Sequence, residues 1–232
     1  MRQVVSVPSP VRPSRLGRRL VQLGAGLVLY GISMALLIRS GLGNMPWDVL
    51  HQGLAQHLHH SIGTVTIAVG AIVLLLWIPL REKPGFGTVS NVVLIGISVD
   101  AALALLPATG LLPVRALLAG AGIVLNAVAT AAYIGARLGP GPRDGLMTGL
   151  VRRTGGSVQR VRTVIEIAVV ATGWALGGTA GIATVLYALA IGPLAQLLLP
   201  RLTVGSSSRT TNPACAVSNA GQPAAGSDMT AH

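Results

Sequence analysis

The chain carries six carboxylates: Asp48, Glu82, Asp100, Asp144, Glu166 and Asp228. Asp48 and Asp144 stand in two short segments of one pattern, Gly43-x-x-Pro46-x-Asp48 and Gly139-x-x-Pro142-x-Asp144, with Arg143 beside the second acid. An Asp at the start of a short helix can accept hydrogen bonds from free backbone N–H groups. If both segments enter a membrane and meet, the same acids can hold a proton or a substrate, and Arg143 can meet an anion or neutralise its neighbour. Both readings stay open. Glu166 lies in an apolar run one helical turn after Arg162, so the two share a face as a structural ion pair or as a substrate or proton site. Asp100 also lies in an apolar run and reads as a structural or interface residue, whereas Glu82 and Asp228 read as solvated.

Other chemistry finds little support. His51, His57, His59 and His60 cluster, but no spacing places three on one helical face, so a wet interfacial surface is expected and no metal site. The single cysteine, Cys215, permits no intrachain disulfide and no cysteine-based metal site. No Ser/His/Asp arrangement, P-loop, HExxH or dinucleotide fingerprint is present, so neither an enzyme nor a bound cofactor is expected. A net charge of +11 with 3% aromatic residues lacks the aromatic-interleaved basic stripe of a nucleic-acid binder.

The elements that must carry these residues follow from composition. Of 232 residues, 51% are hydrophobic and 10% charged, which excludes both an ordinary soluble globule and a disordered chain. An all-α polytopic membrane protein remains. Apolar runs near 20–38, 63–80, 88–106, 115–136, 161–178 and 182–200 have spanning length, the fifth interrupted by Glu166. The first reads as a retained span and not as a signal peptide, because its apolar run is long and no small-residue cleavage site follows. Residues 44–58 and 140–153 are too short and polar to cross unaided, and read as interfacial or re-entrant helices. Residues 1–15 and 203–232 read as cytoplasmic tails, the second disordered.

Sliding the chain along itself by 96 residues brings about 25 of 92 positions into identity, against roughly 8 expected from composition. This predicts two membrane repeats, 16–110 and 111–202, each with three spans and one short segment. An odd number of spans inverts the second copy. With the N-terminus inside, fifteen basic residues fall on the cytoplasmic side and only Arg39 and Arg115 outside. Loop 41–63 contains no Lys or Arg, whereas its copy 137–159 contains four arginines between Arg137 and Arg153. Six spans with both termini cytoplasmic are therefore expected. Trp77 and Trp174 fall near span ends and are expected to anchor at the membrane interface.

The run Gly139-Pro140-Gly141-Pro142-Arg143-Asp144-Gly145-Leu146-Met147, then Arg162 with Glu166, and Gly173-Trp174 with Leu176-Gly177-Gly178, resembles the YczE/YitT-type bacterial integral membrane proteins. Gly41-Leu42-Gly43 with Pro46-Trp47-Asp48, and Pro84-Gly85-Phe86-Gly87-Thr88, fit the same pattern, and the likeness covers about 15–202. One departure is Ala183, where Gly87 of the first repeat suggests a family glycine. The resemblance implies a multi-pass protein of the bacterial inner membrane; it supplies no substrate and no site residue. The expectation is a small transporter or permease-like protein of unknown substrate, with Asp48, Asp144, Arg143, Glu166 and Arg162 as candidates for substrate binding or proton coupling. The competing expectation is a non-transport membrane protein that anchors or supports a partner complex, with the basic inner loop 137–162 and both tails as its docking surface. The bilayer itself is a partner in either case, and a homo-oligomer is compatible with both.

Overall fold

A computed structural model describes residues 13–203, and side-chain surroundings from residue 16. The tails 1–12 and 204–232, with Cys215 and Asp228, lie outside the described residues. The described chain forms α1 (Pro13–Ser40), α2 (Pro46–Leu58), α3 (Ile62–Leu80), α4 (Phe86–Leu105), α5 (Leu112–Gly135), α6 (Pro142–Thr154), α7 (Val158–Ala175) and α8 (Ile182–Leu202). Among the described residues there is no strand.

Five helices, α1, α3, α4, α5 and α8, are long and apolar enough to cross a membrane. α7 has 18 residues but carries Arg160, Arg162 and Glu166, and does not meet that criterion. The expectation of six spans thus stands at five by length and composition.

The interval of 96 recurs in the backbone. α2, α3 and α4 begin at Pro46, Ile62 and Phe86; α6, α7 and α8 begin at Pro142, Val158 and Ile182. Eight residues with positive φ also pair at this interval: Gly41 with Arg137, Gly43 with Gly139, His59 with Gly155, and Arg81 with Gly177. At Gly43 and Gly139, φ is 131° and 135°, a region open to glycine and strained for other residues. Each is followed by a proline at the first helical turn, Pro46 or Pro142, where its missing N–H costs no hydrogen bond.

Each glycine-led turn docks on the other half of the chain. The Gly87 N–H donates to Leu138 O at 2.9 Å, and the Ala183 N–H donates to Leu42 O at 3.1 Å. The alanine therefore makes the turn its glycine counterpart makes. Thr88 and Thr184 accept from the N–H groups of Gly85 and Gly181, each at 3.1 Å, closing the first turns of α4 and α8.

Packing separates the helices into two groups. α1, α4, α5 and α8 form a scaffold whose core includes Leu27, Met34, Val99, Ala127 and Ile191. α1 and α5 cross antiparallel: Gly26 lies against Ala129 and Tyr133, while Gly122 lies against Ser33 and Leu37. Glycine at both crossings lets the backbones approach closely. The second group pairs α2 with α7 and α3 with α6 around Val73, Trp77 and Leu146. Trp77 corrects its expected role. It is 1% exposed, its ring fills the space above Gly145, and its indole N–H donates to Pro142 O at 3.0 Å. A glycine on α6 made room for an indole, so Trp77 packs inside the protein, whereas Trp174 is 69% exposed.

Candidate functional site

Between the two groups of helices lies an open cavity of about 310 Å³. From the second group it is lined by Trp47, His51, Arg143, Asp144, Arg162 and Glu166; from the scaffold by Tyr30, Asn91, Tyr133 and Tyr187. Val69, Val73, Val92, Ile95, Ile165 and Ile191 supply apolar wall. All three tyrosines of the chain face this space.

Arg143 is the central cation. Its guanidinium stands 5.0 Å from the centroid of the Trp47 ring, a cation–π distance. Trp47 and Arg143 are 96 residues apart, so equivalent positions of the two repeats stack on each other. Arg143 Nη2 lies 3.5 Å from Asp48 Oδ1, and its Nη1 lies 3.5 Å from the Tyr30 hydroxyl. Both contacts are at the long limit of hydrogen bonding and leave most of the five guanidinium N–H groups available. Its side chain keeps 28% exposure, which opens it to the cavity.

Asp48 sits behind the wall, fully buried. It forms no side-chain cap on α2; Oδ1 faces His51 Nδ1 at 3.3 Å and Arg143, while Oδ2 has no partner. The capping reading fails for Asp48 because α2 starts as Met45-Pro46 and its third helical residue is turned inward. Asp144 accepts a hydrogen bond from the Tyr133 hydroxyl at 3.0 Å and borders the cavity. Glu166 accepts from Arg162 Nε at 2.9 Å, the ion pair their spacing suggested, and both line the cavity. The structure thus brings all five sequence-derived candidates to one region, with Asp48 one layer back.

Asp100 lies apart. It accepts from the Ser61 hydroxyl at 2.6 Å and from the Gly63 N–H at 2.8 Å, tying α3 to α4. The expected wet face of histidines holds for His57, His59 and His60, which are exposed, but not for His51. His51 is 2% exposed, with Thr66 Oγ1 3.3 Å from the same ring nitrogen that faces Asp48.

Sequence reasoning missed the tyrosines, Asn126 and Trp47. Tyr187 donates to Asn126 Oδ1 at 2.8 Å, and Asn126 Nδ2 donates to Ser33 Oγ at 2.9 Å. Repeat alignment held a signal for them: Tyr30 pairs with Asn126, and Asn91 with Tyr187, polar residues at matched positions in otherwise apolar spans.

Residues 17–200 match the family of unknown function DUF6198. The chain belongs to this family. It is 38% identical over 173 residues to an uncharacterized protein of Haemophilus influenzae, covering 75% of this chain and 79% of that one. It is 34% identical over 179 residues to the uncharacterized membrane protein YczE of Bacillus subtilis, covering 76% and 83% respectively. The uncharacterized protein YyaS of the same organism is 27% identical over 184 residues, covering 76% and 90%. No solved structure matches. The likeness to YczE drawn from the Gly/Pro/Asp motifs is shown, and with five long apolar helices the chain is a membrane protein.

Proposed function

We propose that this protein is a small transporter that binds an organic anion in the cavity around Arg143. The observation that carries the reading is the stacking of Arg143 on its repeat counterpart Trp47 between two helix groups, with most of its donors unused. A carboxylate or phosphate group fits such a planar fork bidentately, and the valine and isoleucine walls suit a compact apolar body. A cavity near 310 Å³ favours a small solute.

The membrane arrangement goes with this reading. α7 serves as a sixth span, its Arg162–Glu166 pair facing the cavity and not lipid. α2 and α6 re-enter the membrane as broken helices, led by Gly43-x-x-Pro46 and Gly139-x-x-Pro142. The repeats have inverted topology, a reading supported by the antiparallel crossing of the equivalent helices α1 and α5. Both termini face the cytoplasm of a bacterial inner membrane, as the arginine distribution favours. No catalytic step is assigned to the site.

The test is a thermal-stability screen of the purified protein with small carboxylates and organic phosphates, followed by proteoliposome flux of any stabilising compound. A ligand at a hundred times its Kd stabilises by about 2.7 kcal/mol. Stabilisation by an anion that is lost in Arg143→Gln, with flux lost in parallel, supports the proposal. An anion-insensitive protein, or binding untouched by Arg143→Gln, refutes it. Partner anchoring would then gain, with exposed Arg153 and Arg160 as its docking residues.

A further inference from the structure

Most packing relations in the fold occur twice, once for each repeat. α1 packs on α4 as α5 packs on α8; α2 packs on α7 as α6 packs on α3; and α2 meets α3 as α6 meets α7. One extensive relation occurs once. α3 and α4 pack along their lengths, whereas their counterparts α7 and α8 make no comparable contact.

Matched residues show the same asymmetry. On the closed side, Gly96 is buried, and a Cβ added there would collide with Ile67 and with the Gly63 carbonyl. Gly70 lies against Val92, and Ser61 and Gly63 both donate to Asp100. On the other side, the counterpart Gly192 has no neighbour within 4 Å of an added Cβ. Ser157 and Gln196, the counterparts of Ser61 and Asp100, are not hydrogen-bonded to each other: the Ser157 hydroxyl accepts only from the Arg160 N–H at the start of α7, and Gln196 borders the cavity. The cavity is lined from both sides of that split, by Arg162, Ile165 and Glu166 of α7 and by Gly192, Ala195 and Gln196 of α8. Two copies of one design, joined in one chain, are thus held in two different arrangements.

We infer that the α3–α4 and α7–α8 seams are two gates that exchange states, by rocking of the α2–α3–α6–α7 group against the α1–α4–α5–α8 scaffold. The structure holds one end state: the α3–α4 gate shut by the Ser61–Asp100 clasp, the α7–α8 gate open. In the other end state each repeat approaches the arrangement of its twin. Gly192 then receives Thr163 as Gly96 receives Ile67, and Gln196 reaches Ser157. Such an exchange requires end states of similar energy, which the shared backbone plan of the two repeats favours. Gly192 keeps α8 small where Gly96 keeps α4 small, whereas Gln159 and Glu166 stand where α3 has Gly63 and Gly70, so the α7–α8 seam closes at a wider spacing. In the proposed topology Ser61 and Asp100 lie toward the outer face, and Ser157 and Gln196 toward the inner one. The cavity is then open inward here and outward in the twin state. The inference extends the transport reading, but the motion is measured without any substrate.

The test uses cysteine pairs in the full chain with Cys215 replaced by serine. Ser61→Cys with Asp100→Cys, and Ser157→Cys with Gln196→Cys, are oxidised in proteoliposomes. Both pairs are expected to cross-link. In a chain carrying all four cysteines, closure of one pair leaves the other reactive to a water-soluble maleimide. Asp100→Asn, which weakens the shut gate, raises the yield of the 157–196 cross-link about tenfold. Gln196→Asp, which supplies the missing acid on the other side, lowers the yield of the 61–100 cross-link. A second measurement leaves the clasps intact: spin labels at exposed Val164 and Leu189, and at their counterparts Ala68 and Val93. Each pair should give two distances, with the short 164–189 distance approaching the short 68–93 distance. Cross-linking of 61–100 alone, simultaneous closure of both pairs, or a single unchanging distance at 164–189 overturns the inference. Because no ligand is used, an alternating protein that binds no anion would refute the anion site and leave the gates standing.

Discussion

Replacing Trp77 by alanine tests whether the second helix group is held by a single large side chain. Trp77 is 1% exposed, fills the space above Gly145, and places its indole N–H on Pro142 O at 3.0 Å. In soluble proteins a buried Trp→Ala change costs about 3–5 kcal/mol. Part of that cost is transfer from water, which falls away where the unfolded chain stays in lipid; packing and the hydrogen bond remain. We therefore expect a loss of about 2–3 kcal/mol. The other repeat supplies a rescue. At the matching interface α7 carries Gly173 where α3 carries Trp77, and α2 carries Val49 where α6 carries Gly145, so small and large residues are exchanged. Gly145→Val alone should also destabilise, because its side chain would enter the Trp77 ring. Combined with Trp77→Gly it should recover about 1–2 kcal/mol relative to additivity, a coupling typical of residues in contact. The assay is a double-mutant cycle of reversible unfolding in mixed micelles. A loss below about 0.5 kcal/mol for Trp77→Ala, or strict additivity in the cycle, would show that the Trp77–Gly145 contact does not hold α3 to α6.

Tyr187→Phe should cost about 1–3 kcal/mol by leaving the buried Asn126 carbonyl oxygen without its donor; thermal denaturation checks it, and a change below about 0.5 kcal/mol speaks against a dry network. Arg152→Ala should change stability by less than about 1 kcal/mol, because the Arg152 end of its 2.9 Å pair with Glu82 is exposed to solvent. A larger loss in the same assay would show the basic loop to be structural. Gly43→Ala and Gly139→Ala should each reduce the yield of folded protein on size-exclusion chromatography, since positive φ and contacts with Thr184 and Thr88 exclude a side chain there. His57→Cys and Arg153→Cys, equivalent and exposed, should label from opposite sides of the membrane; labelling from one side would end the inverted topology.

Sequence alone determined the class of this protein and the interval at which its pattern recurs. With 10% charged residues, the apolar runs have nowhere stable to go but a bilayer. Identity at a fixed interval of 96 anticipated the spacing of helix starts and of positive-φ residues, because a turn made by Gly43 and Pro46 is made again by Gly139 and Pro142. The acids and Arg143 were legible because a charge in an apolar chain is rare enough to be noticed. Tertiary structure decided their company. Whether Trp77 faces lipid or Gly145, whether His51 is wet or dry, and whether Asp48 caps a helix or faces Arg143 depends on which helix lies opposite, and local pattern does not encode that. The difference between Gly96 and Gly192 needs both. The same residue, at matched positions of the two repeats, is sealed where Gly63, Gly70 and Asp100 border it and open where Gln159, Glu166 and Gln196 replace them, and only the packing of whole helices shows that these exchanges fall on one seam.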